Sequence, residues 1–391
     1  MSTLKVTNLR HSSASSDAIT LASDGTATIG ECTAKITNNL SNKNLIINGA
    51  FNVAQRATSG TGSGYKSVDR FYISKSADED PTQAQHALTS SDTGPWAKGF
   101  RNSFHITNGN NSSNTGGNQS IWYEVEAQDI ANSGWDYNSA SSYITLSFWV
   151  KSSVAQTFYA YIVSNDGTNK RHAFSLGSLS ANTWTQVTKS FPGHADLQFD
   201  NDTGKGLSIG IHMFAPAGQT DSGVSLTAWA THSGSERMPD FATTWWQTND
   251  ATFEITGVQL EVGDTATDFE HRSYADELLR CQRYCWVQGG TDTYTTFANG
   301  TIAGSTSFEG RVGLPTTMRA KPSVTFSGNM RVWDAGPSVS TTAVNIDSGA
   351  GSPQSIHHTA TCSSASFTTG RSAIFGAEND TSAKIIYAAE P

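Results

Sequence analysis

Apolar positions along this chain recur mostly with a period of two, which predicts strands. Short runs rich in β-branched and aromatic residues fall at 45–47, 68–73, 100–106, 121–127, 144–151, 157–163, 184–191, 207–214 and 253–262. Clusters of Gly, Asn, Ser and Asp separate them. That spacing is the pattern of an all-β sandwich rather than of alternating strands and helices. In 144–151, Ile144, Leu146, Phe148 and Val150 alternate with Thr145, Ser147 and Trp149, so one face is core and the other presents a tryptophan. In 253–262, Phe253, Ile255, Gly257 and Gln259 lie on one face, with Glu254, Thr256, Val258 and Leu260 on the other. Apolar residues on both faces predict a strand covered on both sides or lying inside a sandwich.

The period changes once, after residue 272. Ser273 followed by Asp276 predicts a capped helix start, and Tyr274, Leu278, Cys281 and Cys285 fall on one helical stripe. Asp276 and Glu277 come first and Arg280 and Arg283 later, the order a helix dipole favours. Gly289-Gly290 is the expected stop. Strands then resume with a more Thr/Ser-rich composition: TYTTF, STSFEGRVGL, PSVTFSG, MRVWD, ASFTT and AKIIYAAE.

The expected organisation is therefore an N-terminal arm (1–41), a large β-sandwich (42–272), a connecting helix (273–288) and a small C-terminal β domain (289–391). In the arm, Ile19 and Leu21 alternate against Ala27 and Ile29 around Asp24-Gly25, a hairpin signal. One hairpin is marginal alone, so it needs a partner surface. Two long connections interrupt the sandwich, 78–95 and 216–250, and the second carries Trp229, Trp245 and Trp246. Long loops in compact domains are usually functional or disordered, and three tryptophans argue against disorder.

Three blocks resemble bacteriophage virion proteins, the tail-fibre-like proteins of marine phages in particular. They are NLIINGAFNVAQRATSG with SVDRFYI, LSFWVKSS with WTQVTKSFPG, and GVQLEVGDTATDFEHRSYADELLRCQRYC, in that order over residues 44–286. Asp268 stands where that family usually has proline, and Cys285 where it has tyrosine. The resemblance implies that the sandwich is a carbohydrate-binding-module-like jelly roll. It also implies a virion (tail) location after assembly in the host cytoplasm, a homotrimer, other phage tail or virion proteins as partners, and contact with host-surface polysaccharide. The family label speaks for a virion surface protein more directly than for any ligand.

Composition adjusts this picture. Charged residues are 15% and aromatics 10% of the 391 residues, a folded, neutral-polar profile. The net charge of −9, with no basic patch, argues against nucleic acid. There is no apolar run of spanning length, so membrane insertion is not expected. The N-terminus MSTLKVTNLR is polar and shows no signal peptide, as expected of a protein made in the host cytoplasm and freed by lysis. Free thiols are then expected at Cys32, Cys281, Cys285 and Cys362.

Sugar rings offer an apolar face that stacks on aromatics, and their hydroxyls need polar partners. The carbohydrate-binding candidates are Trp229, Trp245, Trp246, Trp122 and Tyr159, with Tyr123, Trp135 and Tyr161 behind them. Trp245 and Trp246 form the leading pair, because neighbours in a strand point to opposite faces and one is then exposed. Asp196, Asp200 and Asp202 in one loop are the candidate ligands of a structural calcium, the one cofactor the sequence suggests, set against an ordinary solvated turn. Glu124 and Glu126 share a strand face but form a pair that chance readily supplies. Asp69-Arg70 is expected as an internal ion pair, and His357-His358 as a loop pair without a role. No nucleophile elbow, phosphate loop or HExxH occurs, so a non-enzymatic role is expected. Two alternatives stay open: a purely architectural virion component (tail adaptor, baseplate or capsid appendage), and a glycan-degrading enzyme.

Overall fold

A computed structural model describes residues 42–76, 79–111, 116–334, 336, 338–346, 351–362 and 367–391, with three short strands in the first 41 residues. The chain divides between Lys43 and Asn44 into two units. In the first, Ile19–Leu21 pairs with Ala27–Ile29 in antiparallel register, Ile19 opposite Ile29, and Asn8–Leu9 adds a third strand. The expected Asp24-Gly25 turn and Cys32 lie outside the described residues.

The second unit is almost entirely antiparallel sheet. Its larger body is a sandwich of two six-stranded sheets. The first sheet runs, edge to edge, Ala230–Thr231, Lys170–Leu179, Gln156–Ser164, Lys205–Phe214, Asn118–Glu126 and Phe71–Ser76. The second runs Thr185–Pro192, Tyr143–Ser152, Thr252–Val262, Asn102–Thr107, Thr82–Ala87 and Ser59–Thr61. Spatial neighbours are mostly distant in sequence, as in a jelly roll. One continuous core fills the gap, with Phe71, Phe104, Phe148, Phe158, Phe174 and Phe253 among its largest members. The alternation in Tyr143–Ser152 holds: Ile144, Leu146, Phe148 and Val150 are buried and Trp149 faces outward.

Thr252–Val262 is buried on both faces, as expected, and its double-sided apolar pattern has a further cause. The register shifts between Thr256 and Gln259, and Gly257 takes φ +65°. This is a β-bulge, which reverses the facing of the residues after it. Phe253, Ile255, Val258 and Leu260 therefore all enter the same core. A Cβ on Gly257 would sit 2.5 Å from the Phe100 ring, so glycine is required on two counts.

The helix also departs from expectation. It spans Tyr274–Gln282, and Ser273 Oγ accepts from Asp276 N as foreseen. Cys285 is not on it. That residue opens the strand Cys285–Gly289, and Gly289 and Gly290, at φ +85° and +86°, end this strand rather than the helix. Cys281 and Tyr284 are buried with Ile47 and Val53, whereas Tyr274 is exposed. Two short helices were not foreseen, Ala127–Ala131 and Thr244–Gln247.

The smaller body has its own core around Phe297, Phe308, Phe375 and Tyr387. A three-stranded sheet (Cys285–Gly289, Lys384–Ala388, Ser323–Ser327) faces a seven-stranded one. Strands Ser355–Thr361 and Ser372–Ala377 belong to the latter and are missing from the sequence reading. His357 and His358 lie on the first of these, not in a loop, and buried His358 Nε2 meets Tyr387 OH at 2.8 Å.

The first and third motif blocks meet where these two bodies join. Arg70, 1% exposed, does not pair with Asp69. Its guanidinium lies 3.5 Å from the Tyr284 ring centre and pairs with Glu390 at 2.5 Å. Asp69 instead accepts Gln55 N at 3.0 Å, and Gln55 Nε2 reaches Cys285 O at 2.6 Å. Arg283 Nε and Nη2 grip Glu126 with two 2.8 Å bonds, and Glu277 accepts Asn48 N. Residues of these two blocks, with Glu126 and Glu390, thus build a clasp. No helix among the described residues is long and apolar enough to cross a membrane.

Candidate functional site

The outer face of the first sheet bears a groove whose floor follows from strand alternation. Positions 121, 123 and 125, 158, 160 and 162, and 207, 209 and 211 point into the core. Positions 122 and 124, 159, 161 and 163, and 208, 210 and 212 therefore face out. Part of this face is covered by the long 216–250 connection, which lays Val224, Leu226, Met238 and Phe241 over Tyr159, Tyr161, Val163 and Ala173. What stays open is a cavity of about 300 Å³ lined by Tyr72, Ser74, Trp122, Glu124, Tyr161, Val163, Asn165, Asn169, Lys205, Ser208 and His232.

The half-buried Trp122 ring and a buried carboxylate define it, and Tyr161, 2% exposed, packs against the indole. Trp122 packs closely against Gly210, where a Cβ would come within 2.8 Å of the indole. Its Nε1 donates to Ser120 Oγ at 2.7 Å. Tyr161 meets Trp122 edge-on at 5.4 Å and stacks on His212 at 5.2 Å. The carboxylate of Glu124, 3% exposed, accepts from Tyr72 OH (2.9 Å), Lys205 Nζ (3.2 Å) and Ser208 Oγ. Asn165 Nδ2 donates to Ser208 Oγ at 2.9 Å.

Desolvation sets the ionisation here. Burial pushes the Tyr161 phenol up to about 12. It also raises Tyr72, helped by the Glu124 carboxylate to which Tyr72 donates. Burial, then the charge of Arg237, holds His212 down to about 3, and His232 is lowered by burial, Arg237 and Arg171. At neutral pH the groove thus presents neutral rings and hydroxyls around one neutralised ion pair. Such a surface can stack a flat apolar face and exchange hydrogen bonds with several hydroxyls.

Of the sequence candidates, Trp122 lines this groove and Tyr159 lies beside it, half-buried against Phe241. Trp229 is half-buried at the far edge of the sheet, edge-on to His172, its Nε1 donating to Pro192 O at 2.7 Å. The leading pair is corrected. Trp245 and Trp246 sit on the short helix Thr244–Gln247, not a strand, and both are 0% exposed. Trp246 stacks on Phe214 at 4.9 Å and Trp245 Nε1 donates to Thr252 O, so neither ring offers a free face. Tyr123 and Trp135 are likewise core residues.

The calcium loop is corrected too. Asp196 pairs with Lys170 at 2.8 Å, Asp202 accepts Gly204 N at 2.8 Å, and Asp200 N donates to Asp166. The three carboxylates form no ion-sized cluster among the described residues. The groove residues absent from the sequence candidates are Tyr72, Ser74, Val163, Asn165, Asn169, Lys205, Ser208 and His232. The alternation that turns 208 and 161 outward was readable. The pairing that sets those strands side by side was not.

No family model matches the sequence and no curated protein is significantly similar to it. Among solved structures, the chain is loosely similar to the enzymatically active domain of tailspike protein 4 of bacteriophage CBA120, at 13% identity and TM-score 0.30, over 56% of this chain and 22% of that one. The N-terminal cellulose-binding domain of Cellulomonas fimi β-1,4-glucanase C matches at 10% identity and TM-score 0.27, over 55% of this chain and 99% of that one. A family 11 carbohydrate-binding module from Clostridium thermocellum, in complex with a mixed-linked tetrasaccharide, matches at 12% identity and TM-score 0.24, over 55% and 98%.

Proposed function

We propose that this protein binds glycan non-catalytically, through the groove on the outer face of the first sheet. The observation that carries this reading is the half-buried Trp122 ring beside the Glu124–Lys205–Ser208 cluster in one open cavity. An apolar platform beside convergent polar groups suits a saccharide ring. The two carboxylates nearest each other along that strand are both engaged, Glu124 by three donors and Glu126 by Arg283 and Gln128.

The biological setting we propose is the virion of a phage, as an appendage of tail-fibre type facing host-surface polysaccharide. Copies would assemble as a homotrimer, so that weak contacts gain strength through multivalency. The motif blocks support the virion setting. Burial of the first and third blocks at the clasp between the two bodies also favours a second reading, a purely architectural virion part, because those residues specify packing and not a ligand.

Affinity electrophoresis against a panel of bacterial polysaccharides separates the readings. The groove reading expects at least one polymer to retard the protein and Trp122→Ala to abolish the retardation without loss of fold. Retardation that persists in Trp122→Ala, or none with any polymer, refutes it. Light scattering of the full chain tests the trimer, and release of reducing ends would favour an enzyme.

A further inference from the structure

The outer face of the opposite sheet holds a second constellation. Strands Thr252–Val262, Asn102–Thr107 and Thr82–Ala87 lie side by side there. Glu254 is directly opposite His105 in the register, and His86 is opposite Ser103, one pleat further along. All three side chains stand on the face away from the core, since Phe104 and Ile106, and Phe253 and Ile255, point inward.

The ligand atoms converge. His86 Nδ1 is 3.2 Å from Glu254 Oε2, His105 Nδ1 is 3.3 Å from Glu254 Oε1, and all three groups fall within 4.8 Å of one another. Donors about 2.0–2.2 Å from a tetrahedral ion lie roughly 3.3–3.5 Å apart, so these spacings suit a shared cation. The outer contacts orient the donors. His105 Nε2 is 3.2 Å from Thr107 Oγ1, and in the tautomer that donates there Nδ1 turns a lone pair toward Glu254. Nδ1 is buried and faces the Glu254 carboxylate. Ser103 Oγ donates to Glu254 Oε2 at 2.7 Å. Hydrogen bonds of this kind hold metal ligands in place in known sites.

The neighbouring charges permit a dication. Lys151 Nζ is 2.9 Å from Glu254 Oε1, but it also reaches Asp92 Oδ1 at 3.1 Å and lies 4.8 Å from the Trp184 ring centre. It keeps those partners if Glu254 turns to an ion. His86 is half exposed, which leaves the outer coordination positions to water.

We propose that His86, His105 and Glu254 form a binding site for a divalent transition-metal ion of the zinc class. Two imidazoles with one carboxylate select such an ion over calcium, which takes six to eight oxygens. The site ties the edge-side strands Thr82–Ala87 and Asn102–Thr107 to the central strand.

The test uses the full chain, stripped with chelator and titrated calorimetrically with zinc chloride alone and with calcium chloride alone. One zinc equivalent per chain and no calcium uptake are expected. Cobalt(II) in place of zinc should give the visible absorption of a low-coordinate nitrogen–oxygen site. His86→Ala removes an exposed ligand and should leave the circular dichroism spectrum intact while weakening zinc about tenfold or more. His105→Gln should do the same. Zinc affinity equal in wild type and His86→Ala would overturn the proposal, since the metal would then sit on others of the ten histidines. No stoichiometric zinc uptake would overturn it as well.

Discussion

Gly210→Ala separates the groove from the fold with a single methyl group. A Cβ at 210 would lie 2.8 Å from one carbon of the Trp122 ring and 3.0 Å from two more. Comfortable carbon–carbon contact begins near 3.5 Å, so the indole must lift by about 0.7 Å. Lifting it strains the Nε1–Ser120 bond, about 1 kcal/mol. It also loosens the edge contacts with Tyr161 and His212, about 0.5–1.5 kcal/mol together. Against this, Gly→Ala within a strand recovers about 0.5–1 kcal/mol of backbone entropy. The net loss of stability is therefore about 1 kcal/mol, small for a body of this size. The stacking platform, however, is displaced from its seat on Gly210. Affinity for a polymer that retards the wild type should fall about tenfold, or 1.4 kcal/mol. Affinity electrophoresis measures the first quantity and thermal unfolding the second, and near-ultraviolet circular dichroism reports whether the indole has moved. Unchanged affinity with a displaced indole would refute the assignment of Trp122 as the platform.

Other consequences follow from the same geometry. Arg283→Ala leaves Glu126, fully buried, without its bidentate partner, and urea unfolding should register a loss of about 3–5 kcal/mol. Gly257→Ala forces an L-residue to φ +65° and drives a methyl into the Phe100 ring, for about 2 kcal/mol or more in the same assay. His212 is held neutral by burial, down to about 3 against an ordinary 6.5. Between those values the unfolded chain takes up a proton that the folded one refuses. Stability should therefore be unaffected above about pH 6.5 and fall as the pH drops toward 3, and His212→Asn should flatten that slope in denaturant melts run from pH 7 to pH 4.

Sequence alone determined the local features. Strand alternation put Ile144, Leu146, Phe148 and Val150 inside and Trp149 outside, because a pleated strand has only two faces. Ser273 and Asp276 announced the helix start, because a cap is satisfied within four residues. Features that depend on distant partners were decided only by the tertiary structure. The bulge at Gly257 is visible only once Phe100 is seen packed against it. One of Trp245 and Trp246 read as exposed because a strand was assumed, and packing against Phe214 and Phe253 buried both. Arg70 sits beside Asp69 in the chain yet pairs with Glu390, 320 residues away. Glu254, His105 and His86 look unrelated in the sequence, and become neighbours because strand order in a sandwich is set by long-range pairing, which no local pattern encodes.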